Sequence, residues 1–264
     1  MEVSMKWPKI LALVRHGQSA YNVLRAQKEA DPLFQQFRKA FEKDHRSAEA
    51  RDLAVQVTEK FALGISDYNT PLTAEGVRQA KETGMGLSGL IPIPDIVFVS
   101  PYHRAKETFQ HIKEEWGSAM QAKLVLDDRI REQEHGLSLL YNDWRVFQTL
   151  HPEQKDFYKM MGPYWYQFPQ GESVSEVRDR VRLFIEMLIR ECAGKNVLVV
   201  THHLTILSIR ANMERLSSEE FIHFDEHEKP INCGVTVYEG KPDLGTNGKL
   251  QLLRYNECLW KELG

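Results

Sequence analysis

Cysteine is scarce in this chain: there are three among 264 residues, Cys192, Cys233 and Cys258. Their odd number and the lack of CxxC spacing argue against a disulfide framework and a thiolate zinc site, and fit a reducing compartment. Long apolar runs are missing as well. The run nearest the start, residues 10–14, is too short for a signal segment or a membrane span and leads straight into Arg15. A cytoplasmic protein with no membrane partner is therefore expected. Charge of one sign is not in excess either, the net value being −3. Such a chain has no bulk basic field to gather nucleic acid, so any anion site has to be local. There is no internal repeat and no low-complexity linker.

What the chain does contain is short β-branched runs, at 10–14, 95–100, 123–127, 196–201, 234–239 and 250–255, with helical patterns between most of them. The clearest helix spans 174–191. There Val174, Val177, Val181, Phe184, Ile185, Leu188 and Ile189 recur at three- and four-residue steps, and Ser173 with Glu176 forms a capping box ahead of them. Ser100 and Pro101 read as the N-cap and first-turn proline of another helix. Strand and helix in alternation predict an α/β fold, a three-layer α/β/α sandwich around a mostly parallel sheet. One domain is expected. Two segments depart from the alternation: a charged helical stretch at 23–64 and an aromatic-rich one at 137–170, both read as insertions beside the sheet. The stretch at 240–249 reads as a hairpin connection.

In open α/β sheets the ligand crevice lies outside the carboxyl ends of the strands. Arg15 and His16 follow the first strand, Arg104 falls in the first turn after the second, and His202 and His203 follow the run at 196–201. Each has a plainer reading on its own. The basic pair could be a solvated strand cap, Arg104 a surface partner of Glu107, and His202 a core histidine satisfied by backbone. Their coincidence at one rim points instead to an oxyanion, with phosphate the obvious candidate, because guanidinium forks, imidazole donors and a helix N-terminus all suit it.

The motifs RHGQSAYN (15–22), DYNTPLTAEGVRQA (67–80), SPYHRAKET (100–108), REQEHG (131–136), GES (171–173) and VTHH (200–203) together resemble the histidine phosphatase superfamily, the phosphoglycerate mutase-like proteins. The resemblance implies that His16 attacks phosphorus to form a phosphohistidine while Arg15, Arg104 and His202 hold the phosphoryl oxygens. Asn22 matches the family's additional phosphate-binding position. Glu132 matches the proton donor of one branch, with Glu134 as a lesser substitute. The other branch places an aspartate after the second histidine, where this chain has His203, a candidate for substrate binding or else a helix-start or packing residue. For Glu132 the plainer reading is pairing with Arg129 or Arg131. As proton donor beside a phosphate it is expected to have a raised pKa, because like charges at contact distance do not both ionise cheaply.

No metal and no other cofactor is expected. Adjacent His202 and His203 point different ways at a strand end, and no HxxxH, CxxC or DxD cluster supplies further ligands. The same five catalytic candidates, Arg15, His16, Arg104, Glu132 and His202, serve a phosphatase and a mutase alike. The segment at 137–170 has Arg145 as its only arginine, whereas the mutases it resembles carry paired arginines there for a substrate carboxylate. A phosphomonoester hydrolase is therefore expected, acting on a small phosphorylated substrate or a phosphoprotein. Phosphoglycerate mutase-type transfer and a non-catalytic phospho-ligand-binding module are the alternatives. The aromatics at 157–168 either stack on an organic leaving group or form a satellite core, and the stretch at 23–64 is either a lid or a surface helical hairpin.

Overall fold

A computed structural model of the chain describes residues 5–261. Its contacts divide into two compact units, one comprising the residues up to Ser19, Pro71–Glu132 and those from Val177 onward, the other Ala20–Thr70 and Gln133–Glu176.

The first unit holds one six-stranded sheet. In chain order the strands are β1 (Ile10–Arg15), β2 (Ile96–Val99), β3 (Lys123–Leu126), β4 (Asn196–Thr201), β5 (Val235–Lys241) and β6 (Lys249–Glu257), all at runs read from the sequence. Their spatial order is β3-β2-β4-β1-β5-β6. The β3–β2, β2–β4 and β4–β1 pairings are parallel, and β1–β5 and β5–β6 are antiparallel, the last joined by the expected hairpin connection. The sheet is thus mixed but mostly parallel, as the alternation implied.

Both faces of the sheet are covered, which explains why β1 and β4 read as unbroken apolar runs. Ala12, Val14, Val97, Val99, Leu198, Val200, Val235 and Val237 form one core cluster, which includes Leu87 of α4 (Ala74–Leu90) and Ala105, Phe109, Ile112 and Trp116 of α5 (His103–Trp116). The alternate residues Leu11, Leu13, Phe98, Val197 and Val199 are equally buried. Phe98 meets Phe184 of α8 (Val174–Glu191) edge to face at 5.2 Å on that second side. The helix α8 begins where its capping box predicts, with Glu176 N–H donating to Ser173 Oγ and Ser173 N–H to the Glu176 carboxylate. Helices α9 (His203–Glu214) and α10 (Ser218–His227) follow β4.

The second unit contains α1 (Ala20–Ala30), α2 (Pro32–Asp44), α3 (Ala48–Lys60), α6 (Trp144–Leu150) and α7 (Pro152–Met161). The two segments read as separate insertions share one core here. Phe34, Phe37, Phe41, Ala54, Val57 and Phe61 pack with Val146 across about a hundred residues of sequence. Beneath them a buried ion pair joins Lys28 Nζ to Asp143 at 2.8 Å, and Lys28 also donates to Asn142 O.

One local reading is corrected. Ser100 is not an N-cap, and Pro101 lies ahead of the helix, which starts at His103 after Tyr102 with no side-chain cap bond. The Ser100 hydroxyl has a different partner, described next.

Candidate active site

Sheet register brings the strand ends together. Arg15 pairs with Thr201 and Val99 with Val200, so the residues that follow β1, β4 and β2 leave the sheet side by side. The ladder continues for one more step on either side of β4: His16 N–H donates to Thr201 O, and Ser100 N–H to Val200 O. Arg15, His16, Arg104, Glu132, His202 and His203 all belong to the first unit.

His16 is buried, with its Nδ1 2.8 Å from Gly17 O. A carbonyl only accepts, so Nδ1 carries the proton and Nε2 is left with its lone pair. Arg104 Nε–H points at that lone pair from 3.3 Å. The His16 ring is held well below the ordinary histidine pKa, chiefly by burial, then by the charges of Arg104 and Arg15. It is a neutral imidazole with one free electron pair directed at a guanidinium.

His202 is fully buried and stands edge to face with His16, ring centres 5.1 Å apart. Its Nε2 is 2.7 Å from Ser100 Oγ, a contact between adjacent strand ends that the capping interpretation of Ser100 missed. Its Nδ1 has no hydrogen-bond partner and lies 3.9 Å from Glu132 Oε2. Burial and the charge of Arg104 hold this ring, too, well below the ordinary value. An unpaired buried imidazole nitrogen is costly unless a ligand completes it.

The loop around His16 is fixed by groups the sequence did not single out. Gly17 N–H donates to Thr108 Oγ1, whose hydroxyl donates in turn to Arg104 O. Asn232 Nδ2 donates to His16 O, and Arg15 Nη1 to Pro230 O. The motif at 67–80 acts on the next residue: Thr73 N–H donates to Gln18 O, and Gln79 Oε1 accepts from Gln18 N–H. Gly76 then lets helix α4 approach so closely that a Cβ there would stand 2.0 Å from Gln18 O.

Glu132 is not a partner of Arg129, whose guanidinium forks Asp127 instead, at 2.6 and 2.9 Å. The Glu132 main chain is held by Arg180 Nη2 donating to its carbonyl, with Thr205 Oγ1 holding the carbonyl before it. Its Oε2 sits 3.3 Å from His203 Nδ1, and His203 Nε2 is 3.4 Å from Asp225 Oδ1. Burial favours the neutral acid, but His203 above all, with Arg104, outweighs it and places the Glu132 carboxyl well below its usual range. The expectation of a raised Glu132 pKa therefore does not describe the ligand-free site, because it counted the negative charge of a phosphate and not the cationic neighbours. His203 is shifted the other way: the two carboxylates overcome burial and raise it.

Asn22 lies in the first turn of α1, in the second unit. Among the described residues no group of three or more His, Cys, Asp or Glu is placed to hold a metal ion, and no helix is long and apolar enough to cross a membrane.

The sequence model of the histidine phosphatase superfamily (branch 1) matches residues 59–252, well over half of the chain. The chain belongs to that superfamily. A phosphoglycerate mutase-like protein of Arabidopsis thaliana is 26% identical over 266 residues, covering 92% of this chain and 76% of its own length. A probable phosphoglycerate mutase of Serratia proteamaculans is 30% identical over 158 residues, 56% of this chain and 68% of its own. Among solved structures, a putative alpha-ribazole-5'-P phosphatase from Escherichia coli superposes with a TM-score of 0.65 at 19% identity, over 94% of this chain and 97% of that one. A mycobacterial glucosyl-3-phosphoglycerate phosphatase complexed with inorganic phosphate gives 0.62 at 18%, over 95% and 98%. At such identities the structural likeness speaks for the histidine phosphatase fold. The family match begins beyond α1 and α2, so Arg15 and His16 lie outside it and join the other four residues through strand pairing.

Proposed function

We propose that this protein is a phosphomonoester hydrolase working through a phosphohistidine on His16. The observation that carries the reading is the neutral His16 ring, its Nδ1–H committed to Gly17 O and its Nε2 lone pair facing the Arg104 guanidinium. An anionic phosphoryl group drawn to Arg104 and Arg15 meets that lone pair, and the empty Nδ1 of His202 offers one more bond to its oxygens. In the first step the His16 Nε2–P bond forms as the ester P–O bond breaks, and Glu132, once protonated, gives its proton to the leaving oxygen. In the second, Glu132 takes a proton from water as the water oxygen bonds to phosphorus and the N–P bond breaks.

Hydrolysis is favoured over mutase-type transfer by the state of Arg145. It is the only arginine of 137–170, and it is engaged within its own unit by Asp143 at 3.6 Å and Glu29 at 3.8 Å. That segment therefore offers no arginine pair to retain a carboxylate-bearing intermediate. The substrate is a small phosphorylated molecule or a phosphoprotein. The test is phosphate release over a panel of phosphometabolites and phosphopeptides, run beside a phosphoglycerate isomerisation assay and acid-labile labelling of the protein. Free phosphate, no isomerisation, and a label lost in His16→Ala are expected. Isomerisation without release of phosphate would establish the mutase reading instead, and tight binding with neither reaction would establish a phospho-ligand module.

A further inference from the structure

Glu132 lies where a proton donor is needed, yet in the ligand-free site its neighbours keep it ionised. An ionised carboxylate has nothing to donate, so a proton must reach it when substrate binds. The imidazole nitrogen nearest to Glu132 Oε2 is His203 Nδ1, at 3.3 Å against 3.9 Å for His202 Nδ1. On its far side, His203 Nε2 faces Asp225 Oδ1 at 3.4 Å, and Lys229 Nζ lies 3.6 Å from the same oxygen. The His203 side chain is 25% exposed and that of Glu132 10%, so the imidazole is the member of the pair that solvent reaches more readily.

We propose that His203, seated between the Glu132 and Asp225 carboxylates, is a positioning residue that stores the proton Glu132 delivers to the leaving group and takes it back afterwards. The proposal rests on the hydrolase reading above. Asp225 Oδ1 makes no hydrogen bond and acts on His203 through its charge, 3.4 Å from Nε2, so the proton placed to move is the one on Nδ1, facing Glu132. As the phosphate dianion enters, its charge raises the proton affinity of Glu132, and the Nδ1 proton crosses to Oε2, leaving His203 neutral. That proton next passes to the ester oxygen as the P–O bond breaks. In the hydrolytic step Glu132 gains one proton from water and returns it to His203 Nδ1, so no proton is gained or lost by the trio over a turnover. The titratable and charged groups bearing on this exchange are Asp225 of α10, Lys229 just beyond that helix, His202 after β4, Arg104 of α5 and, through His202, Arg15.

The test compares an alkyl phosphate, which needs its leaving oxygen protonated, with p-nitrophenyl phosphate, which does not. Wild type, His203→Gln and Asp225→Asn are assayed across about pH 5 to 9, the span in which imidazoles titrate. In His203→Gln the alkyl ester should lose about tenfold more kcat/KM than the aryl ester, a part of what a general acid supplies. The alkaline limb for the alkyl ester should also move to lower pH, because Glu132 then relies on its own proton. Asp225→Asn should shift the limb less, in the same direction. Equal losses for both esters, or an unmoved limb, would overturn the proposal. Nitrogen NMR of the His203 ring supplies a readout independent of turnover: titration above the ordinary histidine value is expected in the wild type and should fall in Glu132→Gln and in Asp225→Asn. Ordinary titration in the wild type overturns the proposal even if both esters are hydrolysed. A wild type inert to both esters counts against the hydrolase reading, while the NMR titration still decides the role of His203.

Discussion

Gly76→Ala separates the close approach of helix α4 from ordinary helix energetics, because the two predict opposite signs. In an unobstructed helix, replacing glycine by alanine stabilises by about 1 kcal/mol. Here the new Cβ would stand 2.0 Å from Gln18 O and 2.9 Å from Gln18 N and C, all of them backbone atoms, where ordinary contact begins at 3.4 Å. No rotamer change relieves such an overlap, so the helix and the loop must part by roughly 1 Å or more, at an overpacking cost of about 1–3 kcal/mol. The melting temperature should drop by ~2–4 °C for each kcal/mol lost, in a unit of this size. Residues 16 and 17 would move with Gln18, and a displacement of about 1 Å at a reacting group costs on the order of 10²-fold in rate. Since domains are stable by about 5–15 kcal/mol, the variant should remain folded while losing most of its activity. Thermal melting and kcat/KM for p-nitrophenyl phosphate measure the two arms. A variant that melts higher than the wild type and turns over within twofold of it would refute the reasoning.

Glu132→Gln removes the proton donor but not the nucleophile, so it should slow alkyl phosphates by about 10²-fold or more and aryl phosphates much less; equal losses would count against the assignment. Acid should destabilise the fold in a definite window. His16 and His202 are kept neutral in the folded chain but charge near the ordinary value of about 6.5 when unfolded, so below that pH the unfolded chain binds more protons and stability falls. The loss is up to ~1.4 kcal/mol per pH unit for each ring until its folded pKa is reached, and a urea midpoint that stays level from neutrality to about pH 5 would contradict it. His203 has the opposite sign, its stabilisation being lost as pH rises through its raised folded value. In the second unit, Lys28→Met leaves the buried Asp143 carboxylate with Arg145 alone, 3.6 Å away, and should cost about 1–3 kcal/mol by chemical denaturation. A loss under about 1 kcal/mol, the level of an exposed pair, would show that the ion pair does not bear on stability.

Much of this molecule was legible in its residue order. The unbroken apolar runs of β1, β2 and β4, the three- and four-residue spacing of α8 and its Ser173–Glu176 cap are local properties, and each appears at the expected place. Polar side chains that end apolar runs marked Arg15, His16 and His202 for the same reason: a parallel strand exposes its carboxyl end to the crevice. Ser100 was misread because Ser-Pro before a helical pattern is a sound local signal for a cap, while its actual partner, His202, is 102 residues away. Similarly, 22 positions separate His203 from Asp225, and no sequence spacing announces that pair.

The sequence by itself determined which segments become strands and helices, and which chemical groups sit at their ends, because those depend on side-chain period and on neighbours a few bonds apart. Only the tertiary structure decided that β4 lies between β1 and β2, that Gly76 closes on Gln18, that the segments around 23–64 and 137–170 share one core, and that Glu132 faces a histidine. Those outcomes depend on which surfaces exclude water together. Burial acts between groups distant along the chain and leaves no mark in their spacing.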